Sequence, residues 1–271
     1  MIKKIGIIGL GSIGSKLAVY LSTKGIEIVA YCHRNLELHK GKIENILKKY
    51  DNIPSKLMPI IITSDISLLR DVDLIIDSSL EDYQIKKDIY NNICTFLGKN
   101  IVIGCTTSSL DLNKLANYYQ PENFFGLHFF NPPDKMQLIE ISYSSNISPK
   151  CLLIIKDIKD ILTDKVIIEL PMIQGYVVNR ILFVYLNYAY NFQLETKLEF
   201  DLIDKCMKLG SNVPMGPFQL SDYIGIDVCF DILNELYNSL KNEIYKPSQL
   251  LYEFIEKGNL GKKTKKGFYT Y

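Results

Sequence analysis

Only three of the 271 residues are histidine, and the six cysteines contain no CxxC pair. That spacing excludes a zinc knuckle and a disulfide scaffold. Cys32, Cys94, Cys105, Cys151, Cys206 and Cys229 lie mostly in apolar runs, where thiols serve as small buried hydrophobes in a reducing compartment. No metal site is expected. Neither charge sign is in excess, with 31 Lys+Arg against 30 Asp+Glu, so nothing points to nucleic acid or to an acidic disordered chain. No apolar run reaches the roughly 18 residues of a membrane span, and no membrane association is expected. The start, MIKKIGIIGLGSIGSKLAVYL, is basic and then apolar like a secretion signal, but glycines and serines interrupt it and no cleavage site follows. A cytoplasmic protein is expected. There is no internal repeat or low-complexity segment.

What is present is a globular composition, 47% hydrophobic and 23% charged, long enough to bury a substantial core. Residues 3–9 read as an apolar strand, a glycine-rich turn follows, a helix runs from Ile13 to about Lys24, and residues 26–31 form a second strand. This is a parallel crossover unit. Residues 36–50 read as a charged helix. Strands are predicted over 59–63, 73–78, 100–105, 124–129, 136–142 and 165–170, with helices over 81–97, 110–119 and 149–162. After Pro171 the texture changes to long helical patterns, within 176–195, 199–210, 226–240 and 247–258. The fold class is therefore α/β: a Rossmann-type, mostly parallel sheet domain over 1–174, then an all-α C-terminal domain over 175–271, to which the family resemblance described below assigns substrate binding and dimerisation.

Gly9-Leu-Gly11-Ser12-Ile13-Gly14 is a GxGxxG pattern between a strand and a helix, the context that makes it a dinucleotide loop. Gly9 allows the tight turn, Gly11 the approach of a pyrophosphate and Gly14 close packing of the helix, whose N-terminus favours phosphate. The second strand of such a unit usually ends in an acid that binds the adenosine ribose. Here the chain reads Tyr31-Cys32-His33-Arg34. His33 and Arg34 suit a 2′-phosphate, and Arg34 equally suits a solvated loop, so NAD and NADP both stay open. The segment GLHFFNPP places His128 between aromatics, as a satisfied core histidine or as a base held dry beside a substrate.

The chain resembles the L-3-hydroxyacyl-CoA dehydrogenase family, 3-hydroxybutyryl-CoA dehydrogenases included, nearly end to end. The resemblance rests on GLGSIG (9–14), Glu81 with Lys86, TTSSL (106–110), GLHFFNPP (126–133), MQLIE (136–140), GYVVNR (175–180), KLGSNVPMGPFQLSDYIGID (208–227) and GKKTKKGFYTY (261–271). It implies that His128 is the catalytic base and that Glu140 orients it. It assigns Ser108 and Asn179 to the substrate's C3 oxygen, and Glu81, Lys86 and Thr106 to the cofactor side. Each residue type suits its task. An imidazole, of reference pKa about 6.5, takes a proton near neutrality. A carboxylate on its other nitrogen fixes the tautomer. A hydroxyl and an amide donate to a developing oxyanion. Ser108 also fits a helix N-cap, Asn179 a helix-surface amide, and Glu81 with Lys86 an exposed helical pair.

The implied reaction interconverts a 3-hydroxyacyl and a 3-ketoacyl thioester with NAD or NADP, in the cleft between the two domains. The implied partners are an acyl thioester on CoA or on an acyl carrier protein, and a second copy of the chain. Four departures stand against the family pattern: Cys32 for the ribose acid, Thr106 for asparagine, Gln174-Gly175-Tyr176 for Pro-Gly-Phe, and a shorter segment between the second strand and Asp73, where the family has a helical arm that holds CoA. The short segment keeps a carrier-protein-bound unit, or a free hydroxy or sugar acid, open as the substrate. A non-catalytic nicotinamide sensor is the remaining alternative.

Overall fold

A computed structural model of the chain describes residues 1–49 and 57–271. The end of the helix predicted over 36–50, and part of the segment shorter than the family's arm, lie outside the described residues. The chain divides into two compact units, Met1–Ile173 and Gln174–Tyr271.

The first unit holds strands β1 (Lys4–Ile8), β2 (Glu27–Tyr31), β3 (Ile60–Thr63), β4 (Leu74–Asp77), β5 (Val102–Cys105), β6 (Phe124–Phe129), β7 (Leu138–Tyr143) and β8 (Val166–Pro171). They form one eight-stranded sheet in the order β3-β2-β1-β4-β5-β6-β7-β8. β1 to β6 run parallel, β7 is antiparallel to β6, and β8 is parallel to β7. Helices α1 (Ser12–Thr23), α2 (Leu36–Leu47), α3 (Tyr83–Phe96), α4 (Leu112–Ala116) and α5 (Pro149–Ile161) connect the strands. The inner strands are apolar runs because helices cover both of their faces. Ile5, Ile7, Ile28, Ile76 and Leu127 from the sheet, Leu17 and Leu21 from α1, and Ile155 and Ile158 from α5 share one core. Each such fully buried side chain stabilises the fold by about 1.5–3 kcal/mol relative to exposure.

The strand order sets the position of the site. From central β1 the chain winds outward through β2 and β3, then returns to the other side of β1 as β4. The reversal opens a crevice beyond the carboxyl ends of β1 and β4, where ligands sit in open α/β sheets. The connection between β6 and β7 is a loop over 130–137 in which the Asn131–Pro132 bond is cis.

The second unit is helical: α6 (Tyr176–Thr196), α7 (Phe200–Ser211), α8 (Pro217–Ile224), α9 (Ile226–Leu240) and α10 (Gln249–Glu256). α8 was not among the predicted helices. It is short, Pro217 occupies its first turn, and Gly216 and Gly225 bracket it, so its apolar pattern is too brief to read. The C-terminal tail returns into this unit, and Phe268 packs against Phe200, Phe218, Tyr190 and Phe254. Two buried carboxylates hold the arrangement. Asp204 on α7 accepts from the Phe218 and Gln219 amides of α8 and from the Tyr269 hydroxyl. Asp222 on α8 accepts from the Phe268 and Tyr269 amides and from the Tyr271 hydroxyl.

Asp222→Ala strips three donors of their acceptor. A loss of about 2–4 kcal/mol is expected, read as a lower urea midpoint together with faster proteolysis after Gly261.

Candidate active site

β1 runs into the glycine loop, whose shape is set by close backbone contacts. Gly9 has φ +90°, and its amide donates to the Tyr31 carbonyl at 3.2 Å. A Cβ on Gly14 would lie 2.0 Å from the Gly9 carbonyl oxygen, so only glycine lets α1 start this close to the turn. The N-cap of α1 is Gly11, with no side-chain cap and no acidic residue in the first turn, and Gly11 and Ser12 are exposed. This is a positive helix end with amides available to an anion, and it fits a dinucleotide pyrophosphate. Ile13 lies half-buried in the same first turn. At the neighbouring strand end Cys32 is 7% exposed and burial pushes its thiol pKa up, whereas His33 and Arg34 are exposed.

Across the crevice, the ends of β4 and β5 are tied by two carboxylates. Glu81 Oε1 accepts from the Thr107 hydroxyl (2.7 Å) and from the Ser108 and Ser109 amides (2.7 and 2.9 Å). It thereby fixes the turn that carries Ser108, which is half-buried. Thr106 is buried and bonds back to the Asp77 carbonyl through its amide and hydroxyl. Asp77, closing β4, accepts from Lys86 Nζ at 3.0 Å and from the Tyr90 hydroxyl at 2.6 Å, all of them fully buried.

The exposed helical pair considered for Glu81 and Lys86 is therefore not formed. Glu81 precedes α3, whose N-cap is Asp82, and Lys86 points into the core. Lys86, expected on the cofactor side, is 0% exposed, because the ammonium can be buried only against its anion. Its Nζ donates to Asp77 Oδ2 and to the Ser79 hydroxyl, the latter at 3.3 Å. Burial opposes the charge on Lys86, yet Cys105 and Asp77 beside it hold its pKa above the ordinary lysine value. Burial pushes the Cys105 thiol up to about 12, so it is protonated at neutral pH and Asp77 is the effective anion. For Asp77, burial acts upward, and Lys86, Ser79 and Tyr90 together bring the carboxyl below its usual value. Asp77 and Tyr90 were not among the candidate residues. The available signal was an acid closing the apolar strand LIID, with a lysine nine residues later.

His128 and Glu140 are register partners on antiparallel β6 and β7. Directly opposed residues project to the same face of a sheet. His128 Nδ1 lies 2.9 Å from Glu140 Oε2, and the two residues are 3% and 2% exposed. An ionised carboxylate only accepts, so Nδ1 is the donor in this contact. The Phe130 ring packs on the imidazole at 4.6 Å between centroids. Asn179 belongs to the second unit, buried in the first turn of α6. Gly175 and Tyr176 enter that helix with φ of +74° and +51°. For Tyr176 this left-handed backbone costs roughly 1–3 kcal/mol. Leu236 leaves no room for a Cβ on Gly175.

An uncapped helix behind a glycine loop at the strand-order reversal, in one domain with a dry histidine–glutamate pair, defines a dinucleotide-dependent oxidoreductase. The profile described as 3-hydroxyacyl-CoA dehydrogenase, NAD binding domain, matches residues 4–170, and the one described as 3-hydroxyacyl-CoA dehydrogenase, C-terminal domain, matches 175–271. The chain is 34% identical to a probable 3-hydroxybutyryl-CoA dehydrogenase of Deinococcus radiodurans over 99% of its own length and 100% of that protein. The crystal structure of M. tuberculosis FadB2 superposes with a TM-score of 0.91 at 27% identity, covering 100% of this chain and 99% of that one. (S)-3-hydroxybutyryl-CoA dehydrogenase PaaH1 from Ralstonia eutropha gives 0.87 at 29%, with the same coverage. The chain belongs to the 3-hydroxyacyl-CoA dehydrogenase family, and it interconverts 3-hydroxyacyl and 3-ketoacyl thioesters with a nicotinamide cofactor.

Lys86→Met leaves Asp77 charged and unpaired in the core. A loss of about 3–5 kcal/mol in urea unfolding is expected, and most of it should return in the double variant Lys86→Met/Asp77→Leu.

Proposed function

We propose that His128 is the general base for oxidation of the 3-hydroxyl and the general acid for reduction of the 3-ketone. The observation that carries this reading is the buried Nδ1–Oε2 contact with Glu140. With Nδ1 donating to the carboxylate, Nε2 takes the hydroxyl proton as hydride leaves C3, and Glu140 stabilises the imidazolium. The nicotinamide ring, when bound, supplies the hydride acceptor or donor. Low exposure at His128 excludes bulk water from the proton transfer. The Ser108 hydroxyl, on a turn held by Glu81, donates to the C3 oxygen as charge develops, and the Asn179 amide is the further donor that the family resemblance assigns. Gly9 to Gly14 hold the pyrophosphate, with Ser12 and Ile13 offering first-turn amides.

The thioester is carried on coenzyme A, as the names of the relatives favour. The short segment between β2 and Asp73 favours a second reading, a carrier-protein-bound or free hydroxy acid. All-thiol cysteines among the described residues fit a cytoplasmic setting. The exposed apolar side chains Val177, Ile181 and Tyr188 of α6 support a homodimer.

His128→Gln is expected to lower kcat for acetoacetyl-CoA reduction by about 10²–10⁴-fold, with cofactor affinity retained. The assay should be run in parallel on CoA, carrier-protein and free-acid substrates. Unchanged turnover in the variant contradicts the base, and wild-type activity confined to carrier-protein or free-acid substrates selects the second reading.

A further inference from the structure

We propose that the turn after β2 selects the 2′-phosphate of NADP(H), with Arg34 as the specificity-determining residue and His33 as its second donor. The proposal rests on the reading of the first unit as a nicotinamide-dinucleotide domain.

The backbone brings this turn to the cofactor loop. The Gly9 amide donates to the Tyr31 carbonyl, so Cys32, His33 and Arg34 emerge beside the glycine turn. The position at which a ribose-binding domain carries its carboxylate is Cys32, and its amide is bonded to the Thr63 carbonyl at 2.9 Å. A carboxylate at that place accepts the ribose hydroxyls and repels a phosphate. A neutral thiol, 7% exposed, does neither. Selection against the 2′-phosphate is thus absent from the strand end.

Positive charge replaces it. His33 and Arg34 are both exposed. His33 stands edge-on to the Tyr31 ring, with Nδ1 at 3.2 Å from the phenol oxygen, so its position is set by a buried partner. Asn35 adopts a left-handed backbone, φ 60°, and turns the chain into α2. The two side chains therefore sit at the positive end of a 12-residue helix. From that helix Lys42 Nζ reaches the carbonyls of Leu10 (3.2 Å) and Gly11 (2.8 Å), a further cation against the same loop. Of the carboxylates near the turn among the described residues, Glu37 pairs with Lys40 and Asp65 accepts the Ser67 amide at 2.9 Å. A guanidinium fork beside an uncharged strand end recognises a phosphate dianion by paired charge-assisted bonds and gains nothing comparable from a hydroxyl.

The test is calorimetric titration of the full-length protein with 2′,5′-ADP and with 5′-AMP, each the adenosine half of one cofactor. Wild type is expected to bind 2′,5′-ADP at least about tenfold more tightly, and Arg34→Ala to remove that advantage while leaving 5′-AMP affinity unchanged. Cys32→Asp is expected to reverse the preference, and direct titration with NADPH and NADH should follow the same order. Equal binding of the two nucleotides by wild type, tighter 5′-AMP binding, or an Arg34→Ala loss shared by both ligands overturns the proposal while leaving the dinucleotide domain intact. Failure to bind any of the four ligands overturns the dinucleotide reading and this proposal with it.

Discussion

A hydrogen bond between two side chains facing each other across an antiparallel strand pair is the constraint on which the proposed chemistry of this protein depends. Buried imidazole and buried carboxylate are each costly alone. Together, 2.9 Å apart on rigid strands, they form a donor–acceptor pair whose geometry the sheet ladder enforces. The carboxylate accepts from Nδ1, which in the proposed mechanism leaves Nε2 to exchange the proton. The reversal of β7 against β6 in an otherwise parallel stretch is what brings residues twelve apart in sequence into direct register. A parallel crossover would have needed a long connection between them.

The same economy recurs at the ends of β4 and β5. Asp77 and Glu81 point in different directions from one strand end. Asp77 turns inward to Lys86 and Tyr90, and Glu81 turns to the amides of the Ser108 turn. The inward cluster fixes where α3 starts relative to β4, and the outward carboxylate fixes the loop that presents Ser108. The Lys86 ammonium ends inside the core. Its charge is tolerated because Asp77 is paired with it, and the Tyr90 hydroxyl and the Ser79 amide donate to the same carboxylate.

Much of this was legible in the sequence because each signal was local or periodic. The glycine loop lies between a strand and a helix, and its φ and contact requirements belong to named glycines. His128 and Glu140 stand at even spacing in two apolar strand patterns, so both fall on one face once the strands pair. Less was legible where tertiary packing decided. The interior direction of Lys86 depends on Asp77 of another element, and its helical period alone reads as exposed. α8 is too short for its period to show, and its N-terminal amides are satisfied by Asp204 of α7, a contact fixed by the fold. Tyr176 in a left-handed backbone carries no sequence signal, because that conformation is imposed by its surroundings. Cys32 was read as a departure, and burial of its thiol beside an exposed arginine gives that departure its chemical meaning.

The central claim is that Glu140 holds His128 as the tautomer with its lone pair on Nε2. Nitrogen-15 NMR of histidine-labelled protein at about pH 9, above the ordinary imidazole range, tests it directly, because only three imidazoles contribute. The account predicts one imidazole, absent from the spectrum of a His128 variant, with hydrogen on Nδ1 and bare Nε2, and loss of that tautomer preference in Glu140→Gln. A His128 signal with its hydrogen on Nε2 in the wild-type protein would contradict it.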